Sequence, residues 1–184
     1  MNAGPMVSAS VTFLGTEPLE VLRFGPDAAG VVRYATVGVC RRAMHPPTAA
    51  VADPLRGPRS ELLLSLRPGR DDVLRSLAVV AASPDVEGVV LTAGVTLDLQ
   101  TPLWPGAAVS AVLLGEPGGL VPDLDLDLGP ESGLDGVQPV RFHPLLPMTA
   151  GEAALSRAKG AGLVQQLWLD AGIDLRDPDR RGVA

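Results

Sequence analysis

Val31-Val32-Arg33-Tyr34-Ala35-Thr36-Val37-Gly38-Val39-Cys40 and Ser60-Glu61-Leu62-Leu63-Leu64-Ser65-Leu66 are the two stretches that decide the fold. Both are rich in β-branched, aromatic and large aliphatic residues that suit a pleated, half-buried surface, so they are expected to form the centre of a sheet. Between them, Arg41 to Arg59 carries Pro46, Pro47, Pro54 and Pro58. Proline has no N–H to give a ladder, which keeps this connection out of the sheet. Connections of that length inside a compact domain are usually functional or disordered, and a partner surface is expected here.

Outward from this centre, Ser10–Leu14 and Leu19–Phe24 read as earlier strands, the second stopped by the turn chemistry of Gly25-Pro26-Asp27. After Leu66, Asp71 or Asp72 opens a helix whose apolar stripe is Val73, Leu74, Leu77, Ala78 and Ala81. Ser83-Pro84 is expected to end it. Gly94–Leu99 and Val109–Leu114 read as strands, and Val137–Leu146 as an edge or interrupted strand because of Pro139 and Pro144. Thr149-Ala150-Gly151-Glu152 fits a capping box, and a further helix carries Leu163, Val164, Leu167 and Trp168. One domain over residues 1–176 and a flexible tail over 177–184 are expected.

The chain has 184 residues, 46% of them hydrophobic and 20% charged, which is globular and long enough for one sizeable core. A formal charge of −6 argues against a general nucleic-acid binder, since such proteins present a basic face. The charge is uneven: Arg41–Ser60 holds four arginines against one acid, and Glu116–Asp135 holds six acids and no base. Cys40 is the single cysteine, so no intrachain disulfide can form. The first residues lack signal-peptide character and no apolar run is long enough to span a bilayer, so a cytoplasmic protein with no membrane partner is expected.

No pattern establishes a reaction. Asp123-Leu124-Asp125-Leu126-Asp127-Leu128 places oxygen ligands as a calcium loop would, but Leu128 stands where the loop needs Gly and Leu134 where it needs Glu. No metal or cofactor is therefore expected. Cys40 and His143 could pair as nucleophile and base, yet a lone cysteine at a strand end is more often a small buried hydrophobe. Glu61 interrupts an apolar strand; if it faces inward it needs a partner, with Arg33 and Arg141 as candidates, and otherwise it faces a ligand.

Four stretches together resemble the suppressor-of-fused domain: Tyr34–Val39, Ser60–Leu66, Val140–Thr149, and Glu152 with the Gly160–Leu167 helix. Their order and spacing extend over Leu19 to Gly172. The resemblance implies an α+β fold, a largely antiparallel sheet with helices packed against it. It also implies binding rather than catalysis. Animal members clamp an extended peptide of a transcription factor between this domain and a second one, partly by strand addition. Bacterial single-domain relatives are regarded as candidate immunity proteins that neutralise a toxin. In the animal proteins the peptide-contacting residues precede the Glu-Leu strand, which by ungapped counting from Glu61 brings their acid to Asp53. Their loop aromatics have no counterpart, Ala43, Met44 and His45 lying nearby, and the second clamping domain has none within these residues.

The expected function is thus a non-enzymatic protein-binding domain, an immunity or sequestering protein of bacterial type. Its expected partner-binding residues are Arg41, Arg42, Met44, His45, Asp53, Arg56 and Arg59. The partner is a protein or peptide, a toxin being one candidate. The competing reading is an enzyme with a site near Cys40, Asp98 and His143.

Overall fold

Among the described residues seven strands form one sheet in the order β1-β2-β3-β4-β7-β6-β5. The computed structural model describes residues 7–11, 18–53, 55–126 and 137–183, with backbone alone for 7–11. The strands are β1 Val7–Val11, β2 Leu19–Phe24, β3 Val32–Val37, β4 Arg59–Leu66, β5 Thr96–Asp98, β6 Val109–Leu114 and β7 Val140–Thr149. The helices are α1 Val73–Glu87, α2 Ala150–Lys159 and α3 Ala161–Asp170. All neighbours are antiparallel except β4 and β7, which run parallel from Arg59↔Val140 to Leu63↔Pro144. The α+β reading stands. Of the expected first strand, Thr12–Leu14 fall outside the described residues.

Period-two alternation sorts the central strands onto two faces. On one face Val21, Val32, Tyr34, Leu62, Leu64 and Leu66 pack with Leu77, Ala78 and Ala81 of α1 in the larger core. On the other, Ala111, Leu113 and Met148 meet Ala153, Val164 and Trp168 of α2 and α3 in a smaller one. Helices α2 and α3 cover the β5-β6-β7 end of that second face.

Two expectations built on proline are corrected. Helix α1 runs through Pro84 to Glu87. Pro84 has no N–H for the carbonyl of Val80, and the Ser83 hydroxyl donates to that carbonyl instead, at 2.8 Å. The strand expected at an edge, β7, is central and ten residues long. Its prolines sit where a neighbour runs out. The Pro144 carbonyl accepts from Gly115 N–H at 2.8 Å, just past the end of β6, and the absent N–H lies on that same side. Pro147 faces the side from which β4 has departed after Leu63, and its carbonyl accepts from Arg180.

The C-terminal segment is not the loose tail that Asp177-Pro178-Asp179-Arg180 suggests. Glu152, fully buried, closes the predicted capping box: Thr149 N–H donates to it at 2.8 Å while the Thr149 hydroxyl accepts from Glu152 N–H. The same carboxylate accepts from Trp168 Nε1 at 2.9 Å, from Val183 N–H at 3.1 Å and from both Arg180 terminal nitrogens at 2.9 and 2.7 Å. Arg180 is nearly fully buried and lies 5.6 Å from the centre of the Trp168 ring. One carboxylate thus ties β7, α2, α3 and the last residues together.

Burial alone would raise the Glu152 pKa, but the Arg180 guanidinium, Thr149 N–H and Trp168 N–H outweigh it and hold the carboxyl at about 2. A carboxyl depressed on folding stabilises the fold fully above its ordinary pKa near 4.5 and loses that contribution as pH falls towards 2. Urea unfolding of the wild type and Glu152→Gln should therefore differ by about 3 kcal/mol at pH 7 and converge as pH falls through that window. Arg180→Ala, which strands a buried carboxylate, should cost about 3–5 kcal/mol at pH 7 in the same assay.

Candidate binding surface

The surface begins where β3 and β4 part. Their paired register ends at Ala35↔Leu63. Beyond it, Thr36 inserts its side chain between the strands: its Oγ1 accepts from Leu62 N–H at 2.8 Å, taking the place of a ladder carbonyl, and donates to Glu61 Oε2 at 2.6 Å. Glu61 Oε1 then accepts from Gly38 N–H at 2.8 Å and Cys40 N–H at 3.1 Å. Gly38 has φ +116, a conformation side chains rarely adopt, and a Cβ there would approach the Arg41 guanidinium and the Pro18 carbonyl. The chain turns through a short 3-10 segment, Val39–Arg41, directly under this carboxylate.

The expected pairing of Glu61 is corrected accordingly. Arg33 binds Asp27 and Arg141 binds Asp123. Glu61 is buried and accepts from a hydroxyl and two amides, which meets the need of a buried carboxylate with donors already on the chain.

Arg41 to Arg59 is tied at both ends. Arg59, at the start of β4, is buried, and one of its terminal nitrogens donates to the carbonyls of Cys40 and Arg41 at 2.8 and 2.9 Å. Met44 is buried in the larger core; its N–H donates to the Pro58 carbonyl at 2.9 Å and its Sδ accepts from Leu91 N–H at 3.4 Å. Gly57, with φ +153, lets the returning strand pass so close that a Cβ would stand 2.9 Å from the Met44 carbonyl. His45 is half-buried and its Nε2 meets the Asp53 carbonyl at 2.6 Å.

Asp53 faces its own loop. Its carboxylate accepts from Leu55 and Arg56 N–H at 2.9 and 3.2 Å, and these bonds, set against slight desolvation, hold its pKa below the usual range. Of the seven expected contact residues, Met44 and Arg59 point inward, because the loop needs an apolar root and a cation to collect its carbonyls. Arg41, Arg42 and Arg56 remain on the exposed side, Arg41 also donating to the Pro18 carbonyl at 2.6 Å.

Beside this loop the second sheet face lies open. Leu22, Ala35, Leu63 and Pro144 form one cross-strand row over β2, β3, β4 and β7. Phe24, Val37 and Phe142 flank it, and a hollow of about 540 Å³ lies over them, bounded by Leu120 and Val121. A second hollow of about 310 Å³ continues past Pro144 and Leu146 to Leu175 and Arg176.

The suppressor of fused protein (SUFU) family model matches residues 15–181. The chain belongs to the SUFU family. Solved SUFU structures share its fold. A SUFU homologue from Neisseria gonorrhoeae superposes with a TM-score of 0.65 at 18% identity, over 98% of this chain and 88% of that one. Sufu in a Sufu–Fu complex gives 0.63 at 12% identity, over 97% and 85%. Drosophila Suppressor of Fused gives 0.57 at 14% identity, over 91% of this chain and 43% of its own. The chain thus spans less than half of the Drosophila protein. A search of curated protein sequences gives no match.

Within this SUFU fold the three residues of the enzyme reading are not brought to one centre. Cys40 lies against Glu61, His143 Nδ1 meets the Gly115 carbonyl at 2.9 Å in the interior, and Asp98 on β5 pairs with Arg157 of α2 at 3.0 Å. Burial, with the neighbouring Glu61 carboxylate, pushes the Cys40 thiol up to about 12, opposite to what a nucleophile needs. Among the described residues no cluster of His, Cys, Asp and Glu has metal-ligating geometry, and no helix is long and apolar enough to cross a membrane.

No local pattern marks the parts played by Thr36 and Arg180, and the open face is marked only in β2. There Leu22 and Phe24 are apolar on the parity opposite to Leu19 and Val21, so both faces of the strand are apolar.

Glu61→Gln should destabilise the chain by about 2 kcal/mol, since an amide cannot accept from all three donors. Thr36→Val should cost about 1–3 kcal/mol even in that background, because it leaves the buried Leu62 N–H without its acceptor, and only the loss of the Thr36–Glu61 bond is shared between the two changes; urea unfolding of the double-mutant cycle measures the shared part. Native Cys40 should be alkylated by iodoacetamide at pH 8 roughly tenfold or more slowly than in urea-unfolded chain, because only the thiolate reacts.

Proposed function

We propose that this SUFU-family chain is a non-enzymatic protein-binding domain that grips a protein partner through the exposed side of Arg41–Arg59. The observation that carries the reading is mechanical. The connection is fixed at its root by Glu61, Arg59 and Met44, yet Arg41, Arg42 and Arg56 face outward. A segment held at both ends loses less freedom on binding than a mobile one, so more of its contact energy appears as affinity. Outward arginines on a chain of charge −6 make a local field that steers an acidic protein surface, an effect that weakens as salt rises.

The family supports binding over catalysis, and a related Sufu is solved as a complex with Fu. The raised Cys40 pKa and the separate partners of Cys40, Asp98 and His143 support it further. We place the domain over residues 1–176, with Arg180 fastening the C-terminal residues to it. The partner we infer is a protein in the cytoplasm, and neutralising a toxin encoded beside this gene is the role we favour. No nucleic acid, membrane or cofactor enters the reading.

A photo-crosslinking residue at position 42 or 56 should trap one protein of defined mass in native cells, and the same residue at Asp85 on α1 should not. Replacing Arg41, Arg42 and Arg56 by Ala should weaken binding of that protein at least tenfold at low salt, measured by calorimetry. Equal trapping from all three positions, or unchanged affinity, contradicts the loop as the binding site.

A further inference from the structure

We infer that the open sheet face is a second docking groove, taking an extended polypeptide segment in which apolar and acidic residues alternate. The inference rests on the chain being a protein-binding domain, but concerns a different surface from the Arg41–Arg59 loop.

The two hollows are one feature. Both are lined by Arg33, Leu63, Ser65 and Leu120, so Leu120 stands on a continuous floor and divides it. That floor is made of Leu22, Ala35, Leu63, Phe142 and Pro144, residues of four adjacent strands rather than of a loop. Phe24 and Val37, 43% and 40% exposed, extend the apolar surface at its margin.

Charge then selects the occupant. Among the described residues the charged side chains lining the two hollows are Arg33 and Arg176, both basic. Each sits in a solvent-exposed pair, Arg33 with Asp27 and Arg176 with Asp174, which also holds Arg67, all at 2.8 Å, and exposed pairs contribute little to stability. A carboxylate arriving on an apolar chain can take either arginine as those pairs open.

The chain itself shows the chemistry on a small scale. Its segment past Gly118 lays Leu120 and Val121 against the floor. Two residues on, Asp123 pairs with Arg141 of β7 at 3.3 Å, and Leu124 exchanges two backbone hydrogen bonds with Val140. Apolar side chains laid on the sheet, with an acid close behind them on an arginine, are what an extended apolar–acidic segment would repeat.

The test uses two fluorescein-labelled decapeptides, one alternating leucine with aspartate and one alternating leucine with lysine, read by fluorescence anisotropy at low salt. A chain of net charge −6 attracts the lysine peptide at long range, so preference for the aspartate peptide can come only from local arginines. The aspartate peptide should bind at least tenfold tighter. Ala35→Glu, in the middle of the floor, should cut its affinity at least tenfold; Phe24→Ala, an exposed change that spares folding, should cut it severalfold. Arg33→Ala with Arg176→Ala should abolish the preference between the peptides. No binding, equal binding of the two peptides, or affinity unchanged in both Ala35→Glu and Phe24→Ala overturns the inference. A partner trapped from positions 42 and 56 while the peptides fail would sink the groove and leave the loop reading standing.

Discussion

The Arg41–Arg59 side of this molecule depends on one buried carboxylate. Glu61 sits where β3 and β4 diverge, a place where a sheet would otherwise leave amides without acceptors in its interior. By accepting from the Thr36 hydroxyl and the Gly38 and Cys40 amides, it turns a gap in the ladder into a fixed corner. The Arg41–Arg59 connection starts from that corner and returns to it through Arg59. A long, proline-rich segment can then be irregular without being loose.

A second carboxylate does the corresponding work at the far end of the sheet. Glu152 gathers Thr149, Trp168, Arg180 and Val183 around the start of α2. The two hubs differ in their donors: Glu61 accepts from neutral groups local to its own corner, whereas Glu152 accepts from a guanidinium contributed 28 residues later. Between them, β4 and β7 run side by side as the parallel pair among the described strands, joining the half of the sheet that carries the loop to the half covered by α2 and α3.

Much of this is legible from residue types. The apolar runs of β3 and β4, the α1 stripe and the Thr149–Glu152 capping box each follow from a local rule, and each is found where the rule puts it. The errors come where a local rule meets a tertiary partner. Pro84 and Pro144 read as breakers, but Ser83 supplies the donor missing at one and the end of β6 removes the need for it at the other. Arg180 lies in a polar stretch, and nothing local says that Glu152 waits for it. Glu61 is recognisable as a charge needing partners; that those are Thr36 and two amides, rather than an arginine, depends on how β3 leaves β4. In the candidate site the exposed arginines are readable, but the inward turn of Met44 and Arg59 is not, because a loop's root and its tip have the same composition.

In this picture the sheet is a rigid frame, and the segment anchored beside Glu61 is what we propose another protein grips. Amide hydrogen exchange of the chain, alone and bound to the protein that crosslinks to it, probes that directly. Protection gained on binding should be concentrated in residues 41–53 and 55–58, with the exposed face of α1 around Val79 and Val86 unchanged. Protection confined to α1, or to α2 and α3, with the Arg41–Arg59 segment exchanging as before, would show that the partner is held elsewhere.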